Sequence, residues 1–414
     1  MAYDDTTTRQ PGGSAGESDP AAYRRRVQFD DTAGGTLDQS LRAPVSAPPA
    51  PAAPAATDDG RDRLGVHLGW EVVLLVVAAV LGFLLWREDA AAVQRPALDA
   101  LLVTGAAIGL ITLGAGLSLR AGVPNLAIGP IVLAAEFQFA ENGDKGLAQA
   151  LVPALIIAAA GGLVVGLLIL VLHVPGWAAT LAAAFGVITF DQLRVGAVAV
   201  QGTWEPSDRA FLLFGGFAIL AVLGGGLGAI GPVRRFFGRM RPVGDPAGRR
   251  GPAVVLPVLL ALIVSSVFAA GAGVIMAGQS AGPIQPGTGL EWTGIGLGLA
   301  LLGGTSAYGR RGGIFGTLFA VTALTVFLDY QTRTELDIAL FAIAGTVFAA
   351  GLVATRIVES YGRLATAAKA ADWNAAPSSG LSNWSPTLPE TWNTPAAPPA
   401  RSDRWDDGPW TATR

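Results

Sequence analysis

The chain has 414 residues, of which 51% are hydrophobic and 14% charged, and its formal net charge is −3. A water-soluble domain rarely combines so large an apolar fraction with so few charges, so the composition indicates that lipid is the solvent. The lack of cysteine excludes disulfides and thiolate sites, and the two histidines, His67 and His173, flank different hydrophobic runs. We therefore predict neither a metal site nor a cofactor.

Both ends of the chain are polar and rich in proline, alanine and serine. Residues 1–65 contain no secretory signal and too little apolar surface to fold, so we predict a disordered cytoplasmic tail. Residues 361–414 have a similar composition and are predicted to form a second such tail. Five tryptophans in this second tail either dock on a membrane or a partner, or lie in unstructured chain. They are Trp373, Trp384, Trp392, Trp405 and Trp410.

Residues 66–360 form the predicted transmembrane domain. A membrane-crossing helix needs about 20 mostly apolar residues, and this region accommodates about ten such segments. Trp70 and Trp86 bracket the first, as aromatic side chains favour the lipid–water boundary. The segments are 70–86, 97–119, 126–140, 147–172, 176–200, 210–230, 253–275, 290–304, 314–328 and 338–355. The predicted fold class is therefore all-α, a polytopic membrane protein.

Arginines beside short loops predict the orientation, because loops rich in Lys and Arg stay in the cytoplasm. Alternation from a cytoplasmic start places one set of arginines on the inner side: Arg61, Arg63, Arg120, Arg234, Arg235, Arg239, Arg241, Arg249, Arg250, Arg310, Arg311, Arg356 and Arg363. The acidic segments 87–91, 141–145, 205–208 and 329–337 fall on the outer side. We predict a multi-pass protein of the cell membrane with both termini in the cytoplasm.

Two predicted segments are short and are entered through glycine-rich stretches, residues 113–130 and 301–317. In the first, Gly122, Pro124 and Pro130 interrupt a helix. Backbone freed from helical pairing is tolerated at membrane depth only inside protein or beside water, so paired breaks indicate a transport pathway or gate. The alternative is two ordinary cytoplasmic turns between helices.

Motifs for nucleotide or hydrolytic chemistry are missing from the sequence. No GxxxxGK[ST] loop, G-x-S-x-G elbow or H-E-x-x-H helix occurs, so we predict that the chain is not an enzyme. Beyond the first turn of each segment, the ionisable residues are Glu136, Asp191 and Arg194. They are functional candidates by default, but their position near the outer boundary favours a structural role. Asp191 and Arg194 are three residues apart and can pair on one helix face.

The carboxyl half contains a recognisable pattern between residues 279 and 327. It resembles the permeases of ABC importers for simple sugars, branched-chain amino acids and nucleosides, which carry P-x-x-G-x-G-x-E/W, then L-G-G-T-S, then G-G-x-G-x-x-x-G-T. L-G-G-T-S occurs at 302–306, and the other two elements are present with shorter spacing, as P-G-T-G-L-E and G-G-I-F-G-T. The residues that carry the resemblance are Pro286, Gly287, Gly289, Glu291, Leu302, Gly303, Gly304, Thr305, Ser306, Gly312, Gly313, Gly316 and Thr317. Residues 116–129 and 171–187 resemble the amino half of the same family.

This resemblance implies a membrane-spanning subunit that works as a homodimer or a heterodimer with a second permease. The partners implied are a cytoplasmic ATP-binding subunit, which hydrolyses the ATP, an extracytoplasmic solute-binding protein and the lipid bilayer, with no nucleic acid. The implied pathway or gate residues are Asn125, Thr180, Gly303, Gly304, Thr305 and Ser306. They suit a small neutral polar solute, a sugar first and a branched-chain amino acid or nucleoside second.

The implied contact with the ATP-binding subunit is the segment 231–252. Four of its arginines are the predicted coupling residues: Arg234, Arg235, Arg239 and Arg241. The segment departs from the family pattern because Pro242 and Pro246 interrupt it, and its arginines can alternatively rest on anionic lipid. Asn125 also departs from the sugar transporters, which favour an acidic residue there.

Two functions from other classes remain as alternatives. One is a proton-coupled secondary carrier that uses Glu136 or Asp191, two acidic side chains inside the predicted segments. The other is a membrane scaffold whose tails recruit soluble partners.

Overall fold

The computed structural model describes residues 64–230, 252–307 and 313–362, and within these residues the chain forms ten α-helices. They are α1 Leu64–Glu88, α2 Ala97–Arg120, α3 Ile128–Asn142, α4 Leu147–Leu172, α5 Gly176–Asp191, α6 Ala210–Ala229, α7 Pro252–Gln279, α8 Leu290–Leu302, α9 Gly316–Arg333 and α10 Leu340–Gly362. The predicted tails, apart from residues 64–65 and 361–362, lie outside the described residues. The predicted coupling arginines at 234, 235, 239 and 241 lie outside them too.

Each predicted segment contains one helix, and six helices have the length and apolar composition needed to cross a membrane. These six are α1, α2, α4, α6, α7 and α10. Helices α5 and α8 are apolar but shorter, with 16 and 13 residues. Helices α3 and α9 are more polar and include Glu136 and Asp329. The described chain is therefore an all-helical protein with membrane character.

The prediction that the fifth segment continues to residue 200 is wrong. Helix α5 ends at Asp191, and the next residues are extended. Val198 and Ile284 exchange two backbone hydrogen bonds of 2.9 and 2.8 Å, which join this segment to the α7–α8 connection. Val198 and Val200 are half-buried whereas Ala197 and Ala199 are exposed. This two-residue period is typical of extended chain, and the apolar composition concealed it.

Eight of the helices form two corresponding sets, α2–α5 and α7–α10, which run in opposite directions through the bundle. We call the end of the bundle where α1 begins the proximal end and the other the distal end. Helix α2 packs against α7, α8 and α9, and α7 packs against α2, α3 and α4. Likewise, α3 packs against α5, and α8 against α10. The sets α2–α5 and α7–α10 thus make equivalent contacts, while α1 on α9 and α6 on α2 depart from this correspondence. Their directions are reversed: α2 and α7 are antiparallel, since Thr104 bonds Gln279 and Gly114 lies against Ser265.

Helices α2 and α7 form the centre of the bundle. On α2, every fourth residue is buried from Val103 through Ile111 to Leu119, facing α3, α7 and α8. Because lipid tails are as apolar as leucine, close packing holds such helices together, and small residues permit it. A Cβ at Gly298 of α8 would lie 2.7 Å from the Phe348 backbone nitrogen of α10. At this point α8 and α10 are therefore in close backbone-to-backbone contact, which glycine permits.

Candidate functional site

The two glycine-rich breaks begin with the same helix cap at the proximal end. After α2, Gly122 has φ 75° and the Val123 N–H donates to the Ser118 carbonyl at 3.0 Å. After α8, Gly304 has φ 93° and the Thr305 N–H donates to the Ala300 carbonyl at 2.9 Å. Both are Schellman caps, in which glycine takes the left-handed conformation without a Cβ clash. An ordinary helix end therefore accounts for how each break starts.

Beyond the first cap, a polar cluster is buried between α2, α5 and α7. Asn125 is 3% exposed, and its Nδ2 donates to Ser265 Oγ at 3.1 Å while its Oδ1 accepts from the Ala127 N–H at 3.1 Å. Its own backbone N–H donates to Ser118 Oγ at 3.1 Å. The Thr180 hydroxyl donates to the Pro124 carbonyl at 2.8 Å. We call Ser118, Asn125, Thr180 and Ser265 the inner polar cluster.

The inner polar cluster is satisfied internally. Each side chain in it has a hydrogen-bond partner in the protein, as buried polar groups require. Asn125 and Thr180, two of the predicted pathway residues, lie close together because the Thr180 hydroxyl bonds the carbonyl of Pro124, the residue before Asn125. In this conformation they hold the first break in place.

The predicted residues of the second break are also buried. Thr305 and Ser306 are each 1% exposed, and a Cβ at Gly116 of α2 would lie 3.8 Å from Thr305 Oγ1. Gly303 serves packing, because a Cβ there would approach the Thr317 backbone nitrogen to 2.8 Å. The second break therefore lies beside the last turns of α2, the helix that also carries Ser118. Asn125 and Thr305 lie near the same part of α2.

The short helices α3 and α8 meet at their N-termini, which the sequence did not predict. The Gly129 N–H donates to Thr293 Oγ1 at 3.0 Å, and that hydroxyl donates to the Leu126 carbonyl at 3.2 Å. A Cβ at Gly129 would overlap the Gly289 carbonyl oxygen, and a Cβ at Gly289 would lie 2.6 Å from the Gly129 oxygen. We call these four residues the helix junction. Its backbone contacts are reciprocal, as expected between oppositely oriented sets.

The helix junction lies about half-way between the two ends of the bundle. From it, α3 runs to the distal end and α8 to the proximal end, with 15 and 13 residues. At 1.5 Å per residue these lengths are about 22 and 20 Å, and their sum matches the 40–45 Å thickness of a whole bilayer. Apart from Gly122, the residues directly before the two helices, 121–127 and 286–289, are buried or half-buried, whereas 280–283 and 285 are exposed.

Helix α1 holds the second break from the proximal side. Glu71 is 4% exposed, and its carboxylate accepts the backbone N–H of Ile314. The neighbouring Trp70 indole donates to the Leu302 carbonyl, at the end of α8, at 2.7 Å. The sequence predicted Trp70 only as a lipid-boundary residue. The contact of Glu71 was not predictable, because an acidic residue at the start of an apolar run does not indicate a partner, Ile314, that lies more than 200 positions away.

Glu71→Ala is expected to destabilise the protein by about 1–3 kcal/mol, because it leaves the N–H of the half-buried Ile314 without its acceptor. The measurement is thermal unfolding of the purified chain in detergent. Glu71→Gln keeps an acceptor oxygen and should lose less. The exposed Glu88 of the same helix provides the matched control, Glu88→Ala, which should change stability little. Equal stability of Glu71→Ala and Glu88→Ala would show that the contact is unimportant.

The acidic residues of the sequence prediction lie toward the distal end. Arg194 does not pair with Asp191, as the spacing had allowed, but with Glu141 at 2.6 Å, and it lies over the Phe137 ring at 4.4 Å. The Asp191 carboxylate is fully buried and has no hydrogen-bond partner among the described residues. Glu136 lines a cavity of about 280 Å³. The described residues contain no cluster of three His, Cys, Asp or Glu side chains able to hold a metal.

In comparisons with known proteins, no protein family, no curated protein and no solved structure matches the chain.

Proposed function

We propose that the chain is the membrane-spanning permease subunit of an ATP-driven importer. The observation that supports this best is the helix junction, where α3 and α8 begin inside the bundle from oppositely oriented helix sets. Secondary and primary transporters commonly build their pathways from such broken helices within inverted repeats. The pattern of residues 279–327, which resembles importer permeases, contains one half of this junction, at Gly289.

We propose further that all ten helices cross the membrane. Helices α3 and α8 begin near the middle of the bundle, and each crosses together with the non-helical chain that precedes it, residues 121–127 and 280–289. Helix α5 runs from the proximal end, where α4 finishes, to the distal end, where α6 begins. Helix α9 runs in the same way from the end of α8 to the start of α10. This arrangement puts both described ends of the chain, Leu64 and Gly362, on one side, which the arginine distribution assigns to the cytoplasm.

The proposed pathway passes the inner polar cluster and the second break. Asn125, Thr180, Thr305 and Ser306 are neutral, so they suit a small neutral polar solute, with a sugar the first candidate and a branched-chain amino acid or nucleoside the second. Because the cluster is closed by its own hydrogen bonds, passage requires the helix sets to separate at this level. Movement of one set against the other is the usual route to alternating access in such folds.

The energy for this movement is proposed to come from another chain. A cytoplasmic ATP-binding subunit would contact residues 231–252 through Arg234, Arg235, Arg239 and Arg241, and a solute-binding protein would deliver the solute at the distal end. The permease itself would pair with a second permease, identical or related. Family resemblance alone supports these partners.

The test is affinity purification of the full-length chain from its own membranes in mild detergent. An ATP-binding subunit should elute with it, and the complex should hydrolyse ATP. A variant that lacks residues 365–414 should recruit the same subunit, because the proposed contact lies at 231–252. Purification without any ATP-binding protein would contradict the proposal. If the variant that lacks residues 365–414 lost every partner, the membrane-scaffold alternative would be favoured.

The proton-coupled carrier is the second candidate, and one observation favours it. Asp191 is a fully buried acid without a hydrogen-bond partner among the described residues, and Glu136 faces a cavity near it. Unpaired ionisable groups in membrane proteins often relay protons. This candidate expects solute uptake that a protonophore abolishes and that continues without ATP, whereas the importer expects the reverse.

A further inference from the structure

The cavity near the distal end carries one acidic side chain without a counter-charge. Glu136 lines it and is 9% exposed, and its carboxylate has neither a hydrogen bond nor an ion pair among the described residues. Two further acidic side chains, Glu291 and Asp191, act on it electrostatically and disfavour its negative charge. The neighbouring cation, Arg194, is already held by Glu141. A buried carboxylate costs free energy unless a positive group or a proton joins it.

The other polar groups of the cavity are prepared to accept hydrogen bonds. The Ser280 hydroxyl donates its hydrogen to the Gly282 carbonyl at 2.9 Å. Thr104 Oγ1 donates either to the Ala100 carbonyl at 3.1 Å or to Gln279 Oε1 at 3.2 Å. Gln279 Nε2 donates to the same Ala100 carbonyl at 2.7 Å, which fixes the amide so that Oε1 faces Thr104. The hydroxyl hydrogens are thus in use, and oxygen lone pairs remain for a ligand.

The size and the apolar wall of the cavity indicate an organic ligand. Its volume is about 280 Å³, whereas a water molecule occupies about 30 Å³ in the liquid, so the space far exceeds a bare metal ion. Met276 and Ile284 supply its apolar surface. Ligand sites typically combine such apolar walls with a few convergent polar groups. A short alkyl chain with a cationic head complements both parts.

We propose that this cavity binds a primary alkylammonium ion, with the Glu136 carboxylate as its counter-charge. A primary ammonium group offers three N–H donors and no acceptor, matching a carboxylate surrounded by Gln279, Thr104 and Ser280 oxygens. A zwitterion or an acid is disfavoured by Glu136, Asp191 and Glu291 together. Binding here requires neither the ATP-binding subunit nor the transported solute, so it stands independently of the proposed function.

The test is calorimetric titration of the purified full-length chain in lipid nanodiscs with n-butylammonium chloride. Saturable binding at one site per chain is expected, and Glu136→Gln should weaken it at least tenfold. Glu205→Gln removes one exposed carboxylate near the same end and should leave the affinity unchanged. 1-Butanol, the neutral analogue, should not bind, and sodium chloride should not compete beyond its ionic-strength effect.

Thermal unfolding without ligand is the folding control. Glu136→Gln should unfold at or above the wild-type temperature, since replacing an unpaired buried charge with an amide should not lower stability. Absence of saturable binding to the wild-type chain would overturn the proposal. Equal affinity of Glu136→Gln, equal binding of 1-butanol, or specific competition by sodium would overturn it as well.

Discussion

Gly129→Val is expected to destabilise the protein by at least about 3 kcal/mol, beyond the usual cost of overpacking a core. Its Cβ would overlap the Gly289 carbonyl oxygen and lie 2.7 Å from the Thr293 backbone nitrogen. Both obstacles are backbone atoms, so no side-chain rotation relieves them. The measurement is the unfolding temperature of the detergent-solubilised protein, followed by the loss of its monodisperse chromatographic peak.

Gly161→Ala is the matched control for this substitution. Gly161 lies inside α4, and a Cβ there meets no atom within 4 Å. It should therefore keep the wild-type unfolding temperature or raise it slightly, because alanine favours the helix and loses less chain entropy. If Gly129→Val proved as stable as Gly161→Ala, α3 and α8 would not meet as described.

Asn125→Leu is expected to destabilise the protein by about 3 kcal/mol, because it removes hydrogen bonds from several buried groups at once. Ser265 loses its contact with the Asn125 amide, and the Ala127 N–H loses the acceptor that holds the start of α3. Solute transport should fall with it, since the cluster holds the first break. Thermal unfolding, and uptake once the solute is known, are the measurements.

Two further variants identify the cause of this loss. Asn125→Asp keeps an acceptor for Ala127 and can receive the Ser265 hydroxyl, so it should retain more stability than Asn125→Leu. Asn142→Leu, which changes an asparagine at the distal end of α3, should cost much less. Equal losses at positions 125 and 142 would mean that the inner polar cluster has no special role.

The helices were predictable because their signal is local. Long apolar runs bounded by charged or glycine-rich loops place one helix in each segment, and α4 has the bounds predicted for residues 147–172. The fifth segment failed because the valines at 198 and 200 raise its hydropathy without favouring a helix. There, extended pairing with Ile284, more than 80 residues away, decided the structure.

The candidate site was predicted only in part, since its contacts are long-range. Breaks rich in glycine indicated Asn125 and Thr305, but nothing local indicated that Gly129 and Thr293 touch across the bundle. Glu71 and Arg194 were likewise unpredictable, because their partners Ile314 and Glu141 are distant in sequence. Spacing allowed Arg194 to pair with Asp191, and the tertiary fold selected another carboxylate.

Labelling of single cysteines tests the ten proposed crossings most directly, and the chain, which has no cysteine, is a natural background for it. Gln94→Cys, Asp144→Cys and Asp337→Cys replace exposed residues at the distal end, and Ser360→Cys an exposed residue at the proximal end. A membrane-impermeant maleimide applied to intact cells should label the first three, and Ser360→Cys only after permeabilisation. If six helices alone cross the membrane, Asp144→Cys will instead behave like Ser360→Cys, and the two oppositely oriented sets would be contradicted.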